Sequence, residues 1–263
     1  MAVVVITGAA GVIGRAVAPL LARKHDLRLV DLARPASGDA LDAGTWFECS
    51  IHDADAMASV LRGADALIHL AGISSEAPWD DLLAANIDGT RVVLECAHRA
   101  GVRRVLLASS IHAGGYLSDA SADPTAVRPD TYYGVSKAAM EALGALYADR
   151  FSMAVVSARL CTFGARPTPD RTVGAWLSVD DTARLFEAAI SLNSPGHHLV
   201  WGVSDNAPGW FPLEPGRAIG FEPQDDAARW LQENTGVTPE EPASDFLGGS
   251  FIDLPLGVSV RRP

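Results

Sequence analysis

The hydrophobic positions along the first 160 residues follow two alternating periods. Short β-branched and aliphatic runs predict strands at 2–6, 27–31, 46–49, 66–70, 105–110 and 155–160. Apolar residues at helical spacing lie between these runs and predict helices at 12–24, 53–61, 79–100 and 132–151. This alternation predicts an α/β fold of the Rossmann type, a doubly wound parallel sheet with right-handed crossovers.

After residue 163 the pattern is weaker. It predicts a helix over 179–192, a strand over 198–201 and a short helix near 225–235. Residues 34–44 and 113–131 are rich in Pro, Gly, Ser and Asp and predict loops. Segments of this kind after a parallel sheet usually cover a ligand at its edge, so residues 163–263 are expected to form a small covering region.

A glycine-rich turn follows the first strand. It has the spacing G-x-x-G-x-x-G. Glycine lets the backbone approach a ligand closely, and the N-terminus of the following helix favours a pyrophosphate. A purely structural turn remains the alternative for this motif alone. The candidate cofactor contacts here are Gly8, Gly11, Val12, Ile13 and Gly14.

Asp31 ends the second strand, where an acidic residue binds the ribose hydroxyls of NAD in dinucleotide-binding folds. Its charge would repel the 2′-phosphate of NADP, although the nearby Arg34 leaves NADP open as the second choice. We therefore expect 1–263 to form a single NAD(P)-binding Rossmann domain, with 163–263 as its substrate cover.

Composition limits the other classes of function. The formal net charge of −11 argues against nonspecific nucleic-acid binding. Cys49, Cys96 and Cys161 have no paired spacing, which favours reduced thiols and a cytoplasmic protein. The first strand begins at residue 3, no signal peptide is expected before it, and no apolar run reaches the ~18 residues of a membrane span. No His, Cys or acidic cluster has the spacing of metal ligands, so no metal is expected.

The candidate chemistry lies at the carboxyl ends of the strands. Tyr133 and Lys137 are four residues apart, which places them on one face of a predicted helix. A neighbouring ammonium favours the phenolate form of a tyrosine, which can then accept a proton from a sugar hydroxyl as hydride leaves the same carbon. Ser110, at the end of the fifth strand, can hold the reacting oxygen.

These motifs as a set resemble the extended short-chain dehydrogenases/reductases of the epimerase/dehydratase type. The resemblance covers the first 160 residues, and this chain is shorter than most extended members. Within that superfamily the sequence is most similar to the bacterial uronate dehydrogenases. The supporting stretches run almost from end to end: 69–74, 108–112, 133–137, 176–181, 200–204 and 248–251.

The resemblance implies oxidation of a hexuronate at C1 by NAD, giving an aldarolactone. It implies that Tyr133 is the base, Lys137 its activator and the ribose anchor, and Ser110 the hydroxyl clamp. Further cofactor contacts implied are Ile51, Leu70, Ala71, Gly72 and Asn86. The substrate contacts implied, besides Ser110 and Tyr133, are Ser74, Ile111, His112, Thr162 and Arg171. Arg171 corresponds to the arginine that holds the substrate carboxylate in the family, a role that suits a bidentate guanidinium.

There are three departures from the family pattern, of which the first two bear on the substrate and the third on cofactor affinity. Ile111 replaces an asparagine beside the sugar, and the 161–171 loop differs from the family pattern except at Arg171. Ser50-Ile51 replaces Asp-Leu near the adenine. The alternatives are a dehydrogenase of a neutral aldose or a sugar phosphate, a nucleotide-sugar epimerase or dehydratase, and a noncatalytic NAD-binding regulator. The apolar helices 79–100 and 132–150 lead us to expect a homodimer or a higher homo-oligomer.

Overall fold

The computed structural model describes residues 1–118, 125–169, 173–207, 209–238 and 245–259. Seven parallel strands form its main sheet, in the order β3-β2-β1-β4-β5-β6-β9. They are β1 (Val3–Thr7), β2 (Asp26–Asp31), β3 (Thr45–Glu48), β4 (Ala66–His69), β5 (Arg104–Ser110), β6 (Ala154–Leu160) and β9 (Gly196–Gly202). The predicted doubly wound α/β fold is confirmed.

Helices cover both faces of this sheet. They are α1 (Val12–Leu21), α2 (Ala54–Leu61), α3 (Trp79–Leu82), α4 (Gly89–Arg99), α5 (Tyr132–Phe151), α6 (Val179–Ser191), α7 (Glu214–Ala218) and α8 (Ala227–Thr235). Helices α1 and α6 contribute to the hydrophobic core on one face, and α2, α4 and α5 contribute to the core on the other. No helix in the described part of the chain is long and apolar enough to span a membrane.

The alternation of side chains along each strand fixes which core it reaches. On β1, Val4 and Ile6 join the core under α1 and α6, whereas Val5 joins the opposite core. Leu106 and Leu107 of β5 divide in the same way. This is the two-residue period of a pleated strand, and burial on both faces explains the uninterrupted apolar runs.

The strand order reverses at β1, which pairs with β2 on one side and β4 on the other. A parallel sheet binds its ligands outside the carboxyl ends of the strands near such a point. The glycine turn, Asp31 and the residues after β4 therefore lie along one edge, and the ends of β5 and β6 continue that edge.

The structure differs from the predicted elements in several places, and α7 (Glu214–Ala218) was not predicted. The predicted helix over 79–100 consists of α3, a π-helical segment (Leu83–Asp88) and α4. A second sheet pairs β7 (Thr162–Phe163) with β8 (Trp176–Leu177), and strands of two residues are too short to show a period. Short 3-10 turns (Asp39–Asp42 and Ile111–Gly114) begin or interrupt the predicted loops.

Candidate active site

The glycine turn leaves the N-terminus of α1 open. Gly8 has φ +71°, and a Cβ atom there would lie 2.6 Å from the backbone nitrogen of Ala71, so this position needs glycine. Gly11 is the N-cap of α1 and offers no side-chain hydrogen bond to the first turn. Val12, at that turn, is 70% exposed. The first backbone N–H groups of α1 are thus available to an anion.

Gly14 and Ile13 support the shape of this turn. A Cβ atom on Gly14 would lie 2.6 Å from the carbonyl oxygen of Ala9, so α1 packs closely against the turn. Ile13 packs against the core under α1 and α6. The side chain of Asp31 also contacts the turn, because its Oδ2 accepts a 2.9 Å hydrogen bond from the N–H of Ala10. Arg34 lies 3.6 Å from the Glu48 carboxylate, and both side chains are exposed.

The segment after β4 approaches the same turn. Leu70 packs against one core, and the N–H of Ala71 donates to the Thr7 hydroxyl over 3.4 Å. Gly72 lies so close to Asn86 that a Cβ atom would be 2.6 Å from the amide oxygen Oδ1. Farther along the edge, Ile51 packs against the opposite core, beneath Gly89.

Asn86 is fully buried within the π-helical segment. Its Oδ1 accepts from the N–H of Ile73 over 2.7 Å, and its Nδ2 donates to the carbonyl of Ile73 and to the Ser136 hydroxyl, both over 2.9 Å. The side chain therefore fixes the 72–73 segment against α5. π-Helical turns often mark functional sites, and here the wide turn coincides with the candidate cofactor asparagine.

Tyr133 and Lys137 lie one turn apart at the start of α5. The ammonium of Lys137 lies 5.7 Å from the centre of the Tyr133 ring and donates to the Ala108 carbonyl over 2.7 Å. Burial lowers the pKa of Lys137 to about 8, and the Glu141 carboxylate opposes that shift. Lys137 therefore carries its charge at neutral pH, where it favours a phenolate at Tyr133.

Glu141 is in turn held by two buried partners. Its carboxylate accepts two hydrogen bonds of 2.9 Å from the Arg159 guanidinium and one of 2.6 Å from the Ser109 hydroxyl. Adjacent serines at the end of β5 thus have different partners, because the Ser110 hydroxyl accepts from the backbone N–H of His112 over 3.3 Å. Ser109 joins the buried ion pair, and Ser110 lies beside the turn that carries His112.

His112 packs between Tyr133 and the C-terminal segment. Its ring centre lies 5.7 Å from that of Tyr133 and 3.9 Å from that of Phe251, against which it stacks at 22°. Its Nδ1 lies 2.7 Å from Oδ2 of Asp130. The structure thus brings His112 to Tyr133, the tyrosine that the sequence singles out as the candidate base.

The remaining substrate candidates are distributed around this centre. Ser74 and Thr162 are exposed, after β4 and in β7 respectively. Ile111 packs into an apolar cluster whose buried members include Trp201 and Phe211. Arg171 lies outside the described residues.

Three functional candidates were not predicted from the sequence. Glu76 is 1% exposed and accepts hydrogen bonds from the N–H groups of Tyr133 (2.9 Å) and Gly257 (2.7 Å). Asp130 and Phe251 flank His112. Only Asp130 has a local signal, since it directly precedes Thr131, the N-cap of α5. Among the described residues no cluster of His, Cys, Asp or Glu could hold a metal ion.

Known proteins are similar to this chain in both sequence and fold. The model of the NAD dependent epimerase/dehydratase family matches residues 4–179. A uronate dehydrogenase from Pseudomonas syringae pv. tomato is 36% identical over 94% of this chain and 92% of its own length. An NAD-dependent glucose-6-phosphate dehydrogenase from Haloferax volcanii is 33% identical over 88% of this chain and 96% of its own. The crystal structure of uronate dehydrogenase from Agrobacterium tumefaciens has a TM-score of 0.85 and 33% identity, and the match covers 97% of this chain and 98% of that one. This chain therefore belongs to the NAD dependent epimerase/dehydratase family.

Proposed function

We propose that this protein is an NAD-dependent dehydrogenase that oxidises a hexuronate at C1 to the aldarolactone. The observation that carries the proposal is the buried Lys137 ammonium beside Tyr133, in a chain similar to uronate dehydrogenases over nearly its whole length. NADP is the less favoured cofactor because Asp31 places a carboxylate at the glycine turn.

The described residues fit the pyrophosphate and the adenosine half of NAD. The open N-terminus of α1 and the Gly8 turn suit the pyrophosphate, and Asp31 suits the adenosine ribose. Val12, Ile13, Ile51 and Leu70 would line the path of the cofactor. When bound, NAD supplies the acceptor for the hydride that leaves C1. We propose that Asn86 acts indirectly, by fixing the 72–73 segment, because its amide is already engaged by Ile73 and Ser136.

The residues of this chain handle the proton and the oxygen. Tyr133, as the phenolate, removes the proton of the C1 hydroxyl while C1 loses its hydride and becomes a carbonyl carbon. Ser110 holds the reacting oxygen, and Lys137 stabilises the phenolate by its charge. Ser74, His112 and Thr162 would bind sugar hydroxyls, and Arg171 would bind the carboxylate.

The first experiment follows NADH absorbance with purified protein and NAD. Glucuronate, galacturonate, glucose, arabinose and glucose 6-phosphate are supplied in turn. Rapid reduction with the two uronates alone is the expected result. Turnover only with another sugar would overturn the hexuronate assignment, and no turnover despite NAD binding would favour an epimerase or a noncatalytic regulator.

The R171A variant tests the carboxylate clamp directly. Loss of a charged hydrogen-bond partner is expected to raise the KM for uronates about 10–100-fold, with a much smaller effect on any neutral sugar that reacts. R166A is the matched control, because Arg166 is an exposed arginine five positions earlier in the sequence. Equal effects of the two variants would contradict a specific clamp.

A sugar phosphate is the second candidate substrate. It is favoured by the Haloferax relative, which is named for glucose 6-phosphate, and by Arg171, which suits a phosphate as well as a carboxylate. Ile111 also stands where the family has an asparagine beside the hexuronate, and it packs against Trp201 and Phe211 instead of offering a polar group. The I111N variant sharpens the choice: an increase in kcat/KM for uronates alone would favour the leading proposal.

A homodimer through α4 and α5 remains part of the proposal. Leu146 on α5 is 52% exposed, and Val135 on the same helix is also exposed. Sedimentation velocity of the wild-type protein and L146E tests it, and an unchanged sedimentation coefficient would argue against this face.

A further inference from the structure

The environment of His112 fixes its position and distinguishes its two ring nitrogens. His112 belongs to the 3-10 turn that Ser110 caps, and its imidazole lies beside Tyr133. Its side chain is 11% exposed, whereas the Asp130 side chain that meets Nδ1 is completely buried. Within the described ranges, Nε2 forms no hydrogen bond. Asp130 therefore engages one ring nitrogen and leaves the other for a ligand.

The surroundings of Asp130 fix the position of its other carboxylate oxygen. Its Oδ1 accepts a 2.9 Å hydrogen bond from the Thr131 hydroxyl, whose oxygen accepts from the N–H of Gly134 over 3.0 Å. Gly134 lies in the first turn of the 20-residue helix α5. Oδ1 of Asp130 is therefore tied through Thr131 to the start of α5.

The Asp130 carboxylate has little room to change its orientation. A Cβ atom on Gly115 would lie 1.9 Å from Oδ2, and one on Gly248 would lie 2.0 Å from it. Two separate backbone segments thus enclose the same oxygen that meets His112. A carboxylate held in this way accepts a hydrogen bond from Nδ1–H and selects that tautomer, as the aspartate of a serine-protease triad does.

Phe251 fixes the plane of the imidazole from the other side. The segment that carries it is attached at both ends: the N–H of Gly248 donates to the Gly115 carbonyl over 2.8 Å, and the N–H of Gly257 donates to Glu76 over 2.7 Å. Since Glu76 also accepts from the N–H of Tyr133, the stacked ring and the catalytic tyrosine share one support.

We propose that Asp130 and Phe251 are positioning residues that hold His112 with its proton on Nδ1, so that Nε2 accepts a hydrogen bond from a hydroxyl of the sugar. The proposal rests on the dehydrogenase function above. It assigns His112 to a hydroxyl donor, because an imidazole acceptor pairs with O–H and not with the oxygens of a carboxylate or phosphate. The anionic group of the substrate must then lie elsewhere.

Nuclear magnetic resonance tests the tautomer without any substrate. Long-range proton–nitrogen spectra distinguish the two ring nitrogens, and H112Q identifies the His112 signals among the seven histidines. The expected result is a proton on Nδ1 in the wild type and on Nε2 in D130A. A wild-type His112 with its proton on Nε2 alone would overturn the proposal, whether or not the protein oxidises uronates.

Kinetics test the consequence for the sugar. D130N is expected to raise the KM for the sugar about 10–100-fold while the KM for NAD changes little. F251L should act in the same direction with a smaller effect, and F251Y should restore most of the wild-type value because it keeps the stacked ring. The matched controls are E187Q, at the His25–Glu187 contact of 3.0 Å, and F246L, whose ring contacts Tyr116.

Sugar analogues identify the hydroxyl. For the hexuronate lacking the relevant hydroxyl, wild type and D130N are expected to have similar KM values, whereas the other monodeoxy analogues keep the difference. Wild-type turnover of glucuronate with equal KM values for wild type and D130N would overturn the inference alone. No wild-type turnover would instead overturn the proposed function, and the tautomer measurement would still decide the inference.

Discussion

The proposed cofactor half and the proposed sugar half of the site differ in how they are built. The cofactor half consists of the glycine turn and Asp31, whose hydrogen bond to Ala10 joins residues 21 positions apart. The sugar half joins distant segments, and the bond between Glu76 and Gly257 spans 181 positions. Backbone geometry dominates the first half, and buried side-chain pairs dominate the second. A substitution should therefore damage one half and leave the other measurable.

The largest effect is expected where the two halves meet, at Tyr133. Y133F removes the group that accepts the proton and should lower kcat about 10²–10⁴-fold. The dissociation constant for NAD, measured by titration calorimetry, should change little. Y147F is the control on the same helix, since that hydroxyl donates to Glu95 over 2.8 Å. Equal losses in both variants would argue against a catalytic tyrosine.

A strong effect confined to the cofactor half is expected from G8A. The positive φ and the contact with the Ala71 backbone should together lower the free energy of unfolding by about 3 kcal/mol and weaken NAD binding. G63A separates the two causes, because Gly63 has φ +69° and open space around its Cβ position. It should cost about 1 kcal/mol in urea unfolding. A G8A variant as stable as G63A would contradict the close approach of the glycine turn to the segment after β4.

The pH dependence of stability caused by His69 provides a test of the structure between the cofactor half and the sugar half. Its nitrogens contact the Thr7 and Thr90 hydroxyls, at 2.7 and 3.2 Å. Burial, with a smaller contribution from the Lys137 ammonium, lowers the pKa of His69 from 6.5 to about 3. Between these pH values the unfolded chain binds the proton and the folded chain does not. Stability is therefore complete above pH 6.5 and decreases as the pH falls, by about 2 kcal/mol at pH 5.

The measurement is urea unfolding of the wild type, H69Q and H52Q between pH 4 and pH 7. H69Q should lack this part of the slope, and H52Q should keep it because His52 is exposed. A wild-type slope that persists unchanged in H69Q would show that other groups cause the acid destabilisation.

The smallest effect is expected from D31N, which changes cofactor choice and nothing in the sugar half. Removing the charge should lower the KM for NADP relative to that for NAD about tenfold, while the KM for the sugar stays constant. D26N, at the opposite end of β2 and exposed, provides the control. A change in the sugar KM would show that the halves are coupled.

The same difference explains what could be predicted from the sequence. The strands, most helices and the glycine turn follow from local periodicity, and the Tyr133–Lys137 spacing places both side chains on one helix face. The partners of His112 could not be predicted in this way. Phe251 lies in a short 3-10 turn without a period, and its stacking depends on backbone bonds between distant segments. The use of Asn86 as a support likewise depends on the π-helical turn, which no propensity distinguishes from α-helix.

That π-helical segment also constrains how the gene can vary. A π-helical turn contains one residue more than an α-helical turn between the same two ends. The angular positions of the following side chains around the helix axis therefore depend on keeping that residue. Deleting one codon within 83–88 would either rotate α4 by about 100° or pull Asn86 from its partners. Rotation would expose Val93 and Leu94, which are fully buried. Relatives that share this support should therefore tolerate insertions and deletions in the loops before α3 and after α4, but not between them.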